Sequence, residues 1–186
     1  MTSLGHVGAA EAAASRFSDP ACAAEARWLE PATRRTVPAD RLIAGAADAD
    51  VVLLGEVHDD PDHHRWQLHT IAALHGRRPN MVLGVEMLPR STQEVLDRWV
   101  SGALSEAALL EAVHWRETWG FDPALYMPLF HFARLHRIPL VALNVDRALV
   151  RRVARDGWAA VPAAEREGVG DPAPPVAAYR QYLAGV

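Results

Sequence analysis

Lysine is absent. All 19 basic residues of this 186-residue chain are arginine, which excludes any mechanism that needs a catalytic lysine. With the abundant alanine, this points to a GC-rich coding sequence more than to a function. Cysteine is nearly absent too. Cys22 stands alone, so neither an intramolecular disulfide nor a thiolate metal cluster can form. The stretch SDPACAAEA around Cys22 fails as a lipoprotein signal: no basic segment or continuous apolar run precedes it, and Asp19 and Pro20 sit where small or apolar residues are needed. No apolar run is long enough to cross a membrane, and the chain as given reads as cytoplasmic unless a leader was removed before residue 1. An excess of positive charge is also missing. The net charge of −4 argues against general affinity for nucleic acid or anionic lipid. There is no internal repeat, no Gly-x-Ser-x-Gly elbow and no His-Glu-x-x-His helix, so the common serine-hydrolase and zincin routes have no support.

What is present suits one globular domain: half of the residues are apolar and 23% are charged. Residues 1–25, rich in Ala, Ser and Gly, read as a flexible leader. Three apolar runs follow, DVVLLG (50–55), MVLGVEM (81–87) and PLVALNV (139–145). They do not alternate, as expected of strands covered on both faces. Helical patterns separate them. One short helix falls near 38–47. Another spans 61–76, with Asp60 as N-cap, Pro61 at the first helical position and Gly76 as stop. Ser91 and Ser105 open helices over 91–100 and 105–115, Asp122 and Pro123 open one through Arg137, and Asp146 opens one that Gly157 ends. The expected fold class is α/β, a mostly parallel sheet flanked by helices, with a helical insertion between strands two and three. Residues 161–176 hold four prolines and read as a linker. The helix that starts after them is cut short, so either the fold is minimal or a C-terminal part is missing.

Ligands of open α/β sheets sit outside the carboxyl ends of the strands. Those ends carry Glu56 and His58, then Glu86, then Asn144 and Asp146. Residues i and i+2 of an extended chain point the same way, so Glu56 and His58 are expected to face one ligand, with Glu86 arriving from a neighbouring strand. Two carboxylates and an imidazole suit Zn, Mn or Fe, and equally suit acid–base work. The plainer alternative is a helix cap or arginine partner for Glu56 and a satisfied loop histidine at position 58. His63 and His64 occupy the first turn of the next helix, where an inward histidine points back at the strand ends. Asp59, Asp60 and Asp62 read as capping and dipole partners. The segment 113–137 concentrates aromatics. Tyr126, His114, His131 and Met127 each carry an atom able to ligate iron, although aromatics at helical spacing are more often core.

The stretches LLGEVHDDPDHHRWQ, VLGVEMLPRSTQEVLDRW and WRETWGFDPALYMPLFHFARLHRIPLVALNVDRALVRRVARDG resemble the ChaN-like family of haem-binding, iron-regulated lipoproteins. That family lies in a wider group with erythromycin-esterase-like proteins and Tiki-type metalloproteases. The resemblance covers about 26–160, taken as the ChaN-like domain, with 161–186 as a Pro-rich linker and incomplete helix. It implies an α/β fold, a pocket at Glu56, His58 and Glu86, and haem held between the subunits of a homodimer. It also implies tyrosine as iron ligand. Tyr126 is the tyrosine carried over, with Tyr179 and Tyr182 behind it, and His63, His64 and Asn144 join it as cofactor-binding candidates. The chain departs from the pattern in having no lipobox and in ending before a further His-containing strand end. Two readings follow. The first is a haem-binding protein of iron acquisition. The second is a hydrolase acting on an ester or amide, dependent on a divalent metal or on Glu/His acid–base catalysis, with Glu56, His58 and Glu86 as catalytic or metal-holding residues. A vestigial pocket is a third, duller outcome.

Overall fold

The structure is a computed structural model and describes residues 27–185; the expected leader and Cys22 lie outside the described residues. The chain divides into two compact units, Met1–Asn80 and Met81–Val186. That boundary falls inside the stretch that the sequence groups as one domain.

In the first unit, β1 (Trp28–Leu29) and β2 (Thr36–Val37) form an antiparallel pair, with Trp28 opposite Val37. Helix α1 (Ala39–Ala47) buries Ile43. Helix α2 (Pro61–His75) starts where the sequence places it. A helix leaves its first backbone N–H groups without internal partners. Here the Asp60 carboxylate accepts one of them, from Asp62, at 2.8 Å, and Pro61 has no N–H to satisfy. The buried face of α2 carries His64, Gln67, Thr70, Ile71 and Leu74. Three of these five are polar, which explains why the apolar periodicity of the segment is weak. Arg78 donates to the carbonyls of Ala47 and Ala49, tying the turn after α2 to the end of α1.

The expected first strand takes another form. Residues 51–57 belong to no ladder among the described residues, and Leu53 is 88% exposed. Apolar content reports a capacity for burial, whereas a strand also needs a partner for its backbone groups. At the end of this run the partners are side chains of α2. Gln67 donates to the Leu54 carbonyl, and the Val57 N–H donates to His63.

In the second unit, β3 (Leu83–Pro89) and β4 (Leu140–Asn144) pair in parallel, as expected for the second and third runs. Leu83 lies opposite Leu140 and Val85 opposite Ala142, and the register is irregular between Val85 and Pro89. The helical insertion between them holds α3 (Gln93–Val100), α4 (Glu106–Ala112), the single turn α5 (Trp115–Thr118) and α6 (Pro123–His136). These helices pack onto the strands: Leu96, Trp99, Leu109, Tyr126 and Phe130 share one core with Val85, Met87, Leu140 and Ala142. Ser105 and Asp122 cap α4 and α6 with side-chain hydrogen bonds. Ser91 does not open α3. It lies in a 3-10 turn, and its hydroxyl donates to Asp146 instead. Helix α7 (Arg147–Asp156) follows β4. The stretch beyond Gly157 is pinned rather than loose. Trp158 and Arg166 both donate to Asp171, and Arg90 donates to the Glu167 carbonyl. Helix α8 (Ala177–Ala184) has no buried residue.

Candidate functional site

The polar site of the first unit is built by two segments of unlike regularity, the extended chain 51–58 and the first turns of α2. Glu56 is held between two imidazoles. His58 Nδ1 lies 2.9 Å from Glu56 Oε1, and His64 Nδ1 lies 3.1 Å from Glu56 Oε2. The Glu56 carboxylate is 7% exposed and the His64 ring 4%, whereas His58 is 36% exposed. The pair is thus sheltered on the glutamate side and open on the His58 side.

Hydrogen bonding assigns the ring protons. A carboxylate accepts, so His58 donates through Nδ1–H, and its Nε2 carries the lone pair. A carbonyl also accepts, so His64 donates through Nε2–H to the His58 carbonyl at 3.0 Å. The Val57 N–H donates to His63 Nδ1 at 2.8 Å, so that nitrogen carries a lone pair. Asp60 is the N-cap of α2. The backbone N–H of Asp62 holds its carboxyl below the usual 3.8, and His63 and Arg65 add to this.

The remaining candidates belong to the second unit. Glu86 is exposed on β3. Asn144 is a staple: its amide donates to the Glu86 carbonyl at 3.1 Å, and its own oxygen accepts the Val145 N–H. Tyr126, the tyrosine expected at the iron, is 0% exposed. Its ring lies 5.4 Å from Trp115 and 6.0 Å from Trp119, centroid to centroid, inside the aromatic core. A phenol buried in that way packs and presents no surface to a porphyrin. His131 pairs with Glu106 at the surface, while Met127 is buried. His114, in the left-handed conformation at φ 48°, lines a shallow hollow of about 590 Å³ with Leu110, Trp115, Arg116 and Phe121.

Two residues of consequence were not singled out from sequence. Gln67 follows His63 by four positions and His64 by three, the spacing of one helix face, and that spacing was its signal. Glu167 sits at φ 51°, and its carboxylate accepts the Asp146 N–H at the start of α7. A loop glutamate 21 residues from its partner leaves no local pattern to find.

The fold and the site describe an α/β protein with a carboxylate–imidazole pair at the entry to a helix. Residues 42–186 match the family described as "Haem-binding uptake, Tiki superfamily, ChaN", and the chain belongs to that family. Among solved structures, the chain is similar to ChaN of Campylobacter jejuni, in a structure titled for cofacial haem binding. The TM-score is 0.57 and the identity 23%, with 69% of this chain and 52% of that one covered. This chain therefore spans about half the length of that protein. No curated protein matches the chain. The matched description names haem, and nothing in these matches supports the hydrolase reading. No helix among the described residues is long and apolar enough to cross a membrane.

Proposed function

We propose that this chain binds haem, and that His58 presents the iron-facing nitrogen. The observation that carries the proposal is the match of residues 42–186 to a haem-binding uptake family. The residues of the first unit fit such a group. A porphyrin needs apolar surface beside its iron ligand, and exposed Leu53 precedes the Glu56–His58 pair in sequence while exposed Val57 lies within it. A ligating imidazole is typically oriented by a carboxylate on its other nitrogen, and Glu56 stands in that relation to His58. When bound, the haem supplies a redox-active iron and a large planar apolar surface. A place in haem or iron uptake, and a homodimer with stacked haems like those named for the Campylobacter protein, belong to the same proposal.

A second assignment of the iron ligand has its own support. Tyr179 and Tyr182 are 54% and 68% exposed on α8, beside exposed Leu183. A tyrosine from that helix would satisfy the expectation that Tyr126, buried as it is, does not.

Titration of the full chain with haemin, followed at the Soret band, tests both. Saturable binding that is weakened in His58→Ala and unchanged in Tyr126→Phe supports the proposal. Loss of the Soret shift in a Tyr179→Phe/Tyr182→Phe variant, with His58→Ala unaffected, moves the iron to α8. Wild-type protein with no saturable spectral change removes the haem reading. Sedimentation with and without haemin checks the dimer: the mass is expected to double on loading.

A further inference from the structure

We propose that His64, His63 and Gln67 act as positioning residues that hold the Glu56–His58 pair in its ligand-facing geometry. The inference rests on the haem reading for its functional meaning, but its structural content is independent of haem.

Residues 51–57 carry no strand ladder among the described residues, so nothing of that kind orients them. Three α2 side chains take over. Gln67 Nε2–H donates to the Leu54 carbonyl at 3.1 Å, His63 Nδ1 accepts the Val57 N–H at 2.8 Å, and His64 Nε2–H donates to the His58 carbonyl at 3.0 Å. These contacts bracket Glu56 on both sides of its own residue. Helical side chains lean toward the N-terminus of their helix, so positions 63, 64 and 67 reach back over the entry to α2, where residues 54–58 run. Gln67 and His64 are buried, and a buried polar group is costly unless it is bonded. Their bonds to the loop are therefore held tightly, and the loop with them.

The two imidazoles relate to Glu56 in different ways. His64, with its proton on Nε2, acts through the His58 carbonyl it holds and so sets where the His58 ring stands relative to Glu56. One Glu56 oxygen receives His58 Nδ1–H, and that carboxylate fixes the tautomer of His58. An imidazole whose Nδ1–H is fixed presents Nε2. His63 and His64 were expected at the cofactor; the geometry assigns them to the loop that meets it.

The test uses the full chain and two readouts. Ring nitrogen NMR of the haem-free protein reports the His58 tautomer, and haemin titration reports affinity. Wild type is expected to show His58 in one Nδ1–H form. In His64→Phe, the two His58 tautomers are expected to mix and half-saturation with haemin to rise about 10-fold or more, the usual effect of losing a partner behind a metal ligand. His64→Gln keeps a donor near the Nε2 position and is expected to recover both readouts. Gln67→Leu, which loosens the loop at Leu54, serves as a second variant should circular dichroism show that His64→Phe fails to fold. An unchanged His58 tautomer and unchanged haemin half-saturation in both His64→Phe and Gln67→Leu would overturn the inference. A tautomer change in the variants with no haemin binding by wild type sinks the haem reading and still supports the positioning of His58.

Discussion

At Asp60 a carboxylate meets a backbone N–H that the helix itself cannot satisfy, and this sets a pH dependence with a definite sign. The bond from the Asp62 N–H lowers the carboxyl below its usual 3.8. A depressed folded-state value means that the stabilisation is fully present above the unfolded value and is lost as pH falls through the folded one. Protection of the first-turn amides of α2, taken relative to the intrinsic exchange rate at each pH, is therefore expected to fall as the pH drops below about 4. Asp60→Asn, which keeps an acceptor but does not titrate, is expected to flatten that response; the same acid sensitivity in the Asn variant would refute the assignment. Tryptophan 99 offers a second test at this scale. Its indole N–H donates to the Phe130 carbonyl at 2.9 Å, and the side chain is fully buried. Trp99→Phe removes that bond and part of a fully buried ring, and urea unfolding is expected to show a loss of about 1–3 kcal/mol. The caps at Asp60, Ser105 and Asp122 were legible because capping is local: residue type and the following turn suffice. The Trp99 bond was not, since its partner is 31 residues away.

Among the elements, the two parallel strands and the helices were readable from apolar runs and their punctuation, and the observed bounds differ from the expected ones by up to three residues, most at the helix expected to reach 115, which ends at Ala112. The failure at 50–55 is instructive, because its composition matches that of the two runs that do pair. Periodicity describes which faces a segment can bury, but pairing depends on what else the fold brings alongside. Gln93 shows the same limit from the other direction. On α3 it reads as an ordinary polar residue, yet its amide donates to the Leu140 carbonyl at 2.8 Å and accepts the Ala142 N–H at 3.0 Å. It occupies β4 as a short neighbouring strand would, leaving less open backbone for another chain to pair with. Gln93→Ala frees both groups. The expected result is a loss of about 1–2 kcal/mol in denaturant unfolding, together with more light scattering on storage than wild type. A variant as stable and as soluble as wild type would show that water replaces the side chain without penalty.

For the whole molecule, the family was legible in the sequence because separated motifs around Glu56, Glu86 and Asp122 recur in order, and the match over residues 42–186 agrees. The iron ligand was less so. Tyrosine is a reasonable ligand by chemistry, and Tyr126 lies within a recognisable block, but burial among Trp115 and Trp119 is a property of the folded core and not of the block. A global measurement separates these roles. A ligand that binds only the native state stabilises it by RT ln(1 + [L]/Kd), about 2.7 kcal/mol at a hundredfold excess over Kd. Haemin at that excess is therefore expected to raise the unfolding midpoint of wild-type protein by several degrees. The rise, read against each variant's own unliganded midpoint, should be retained in Tyr126→Phe and diminished in His58→Ala. If Tyr126→Phe instead kept its unliganded midpoint and lost the haemin-induced rise, the buried phenol would have to reach the iron, and the core around Trp115 would have to open on loading.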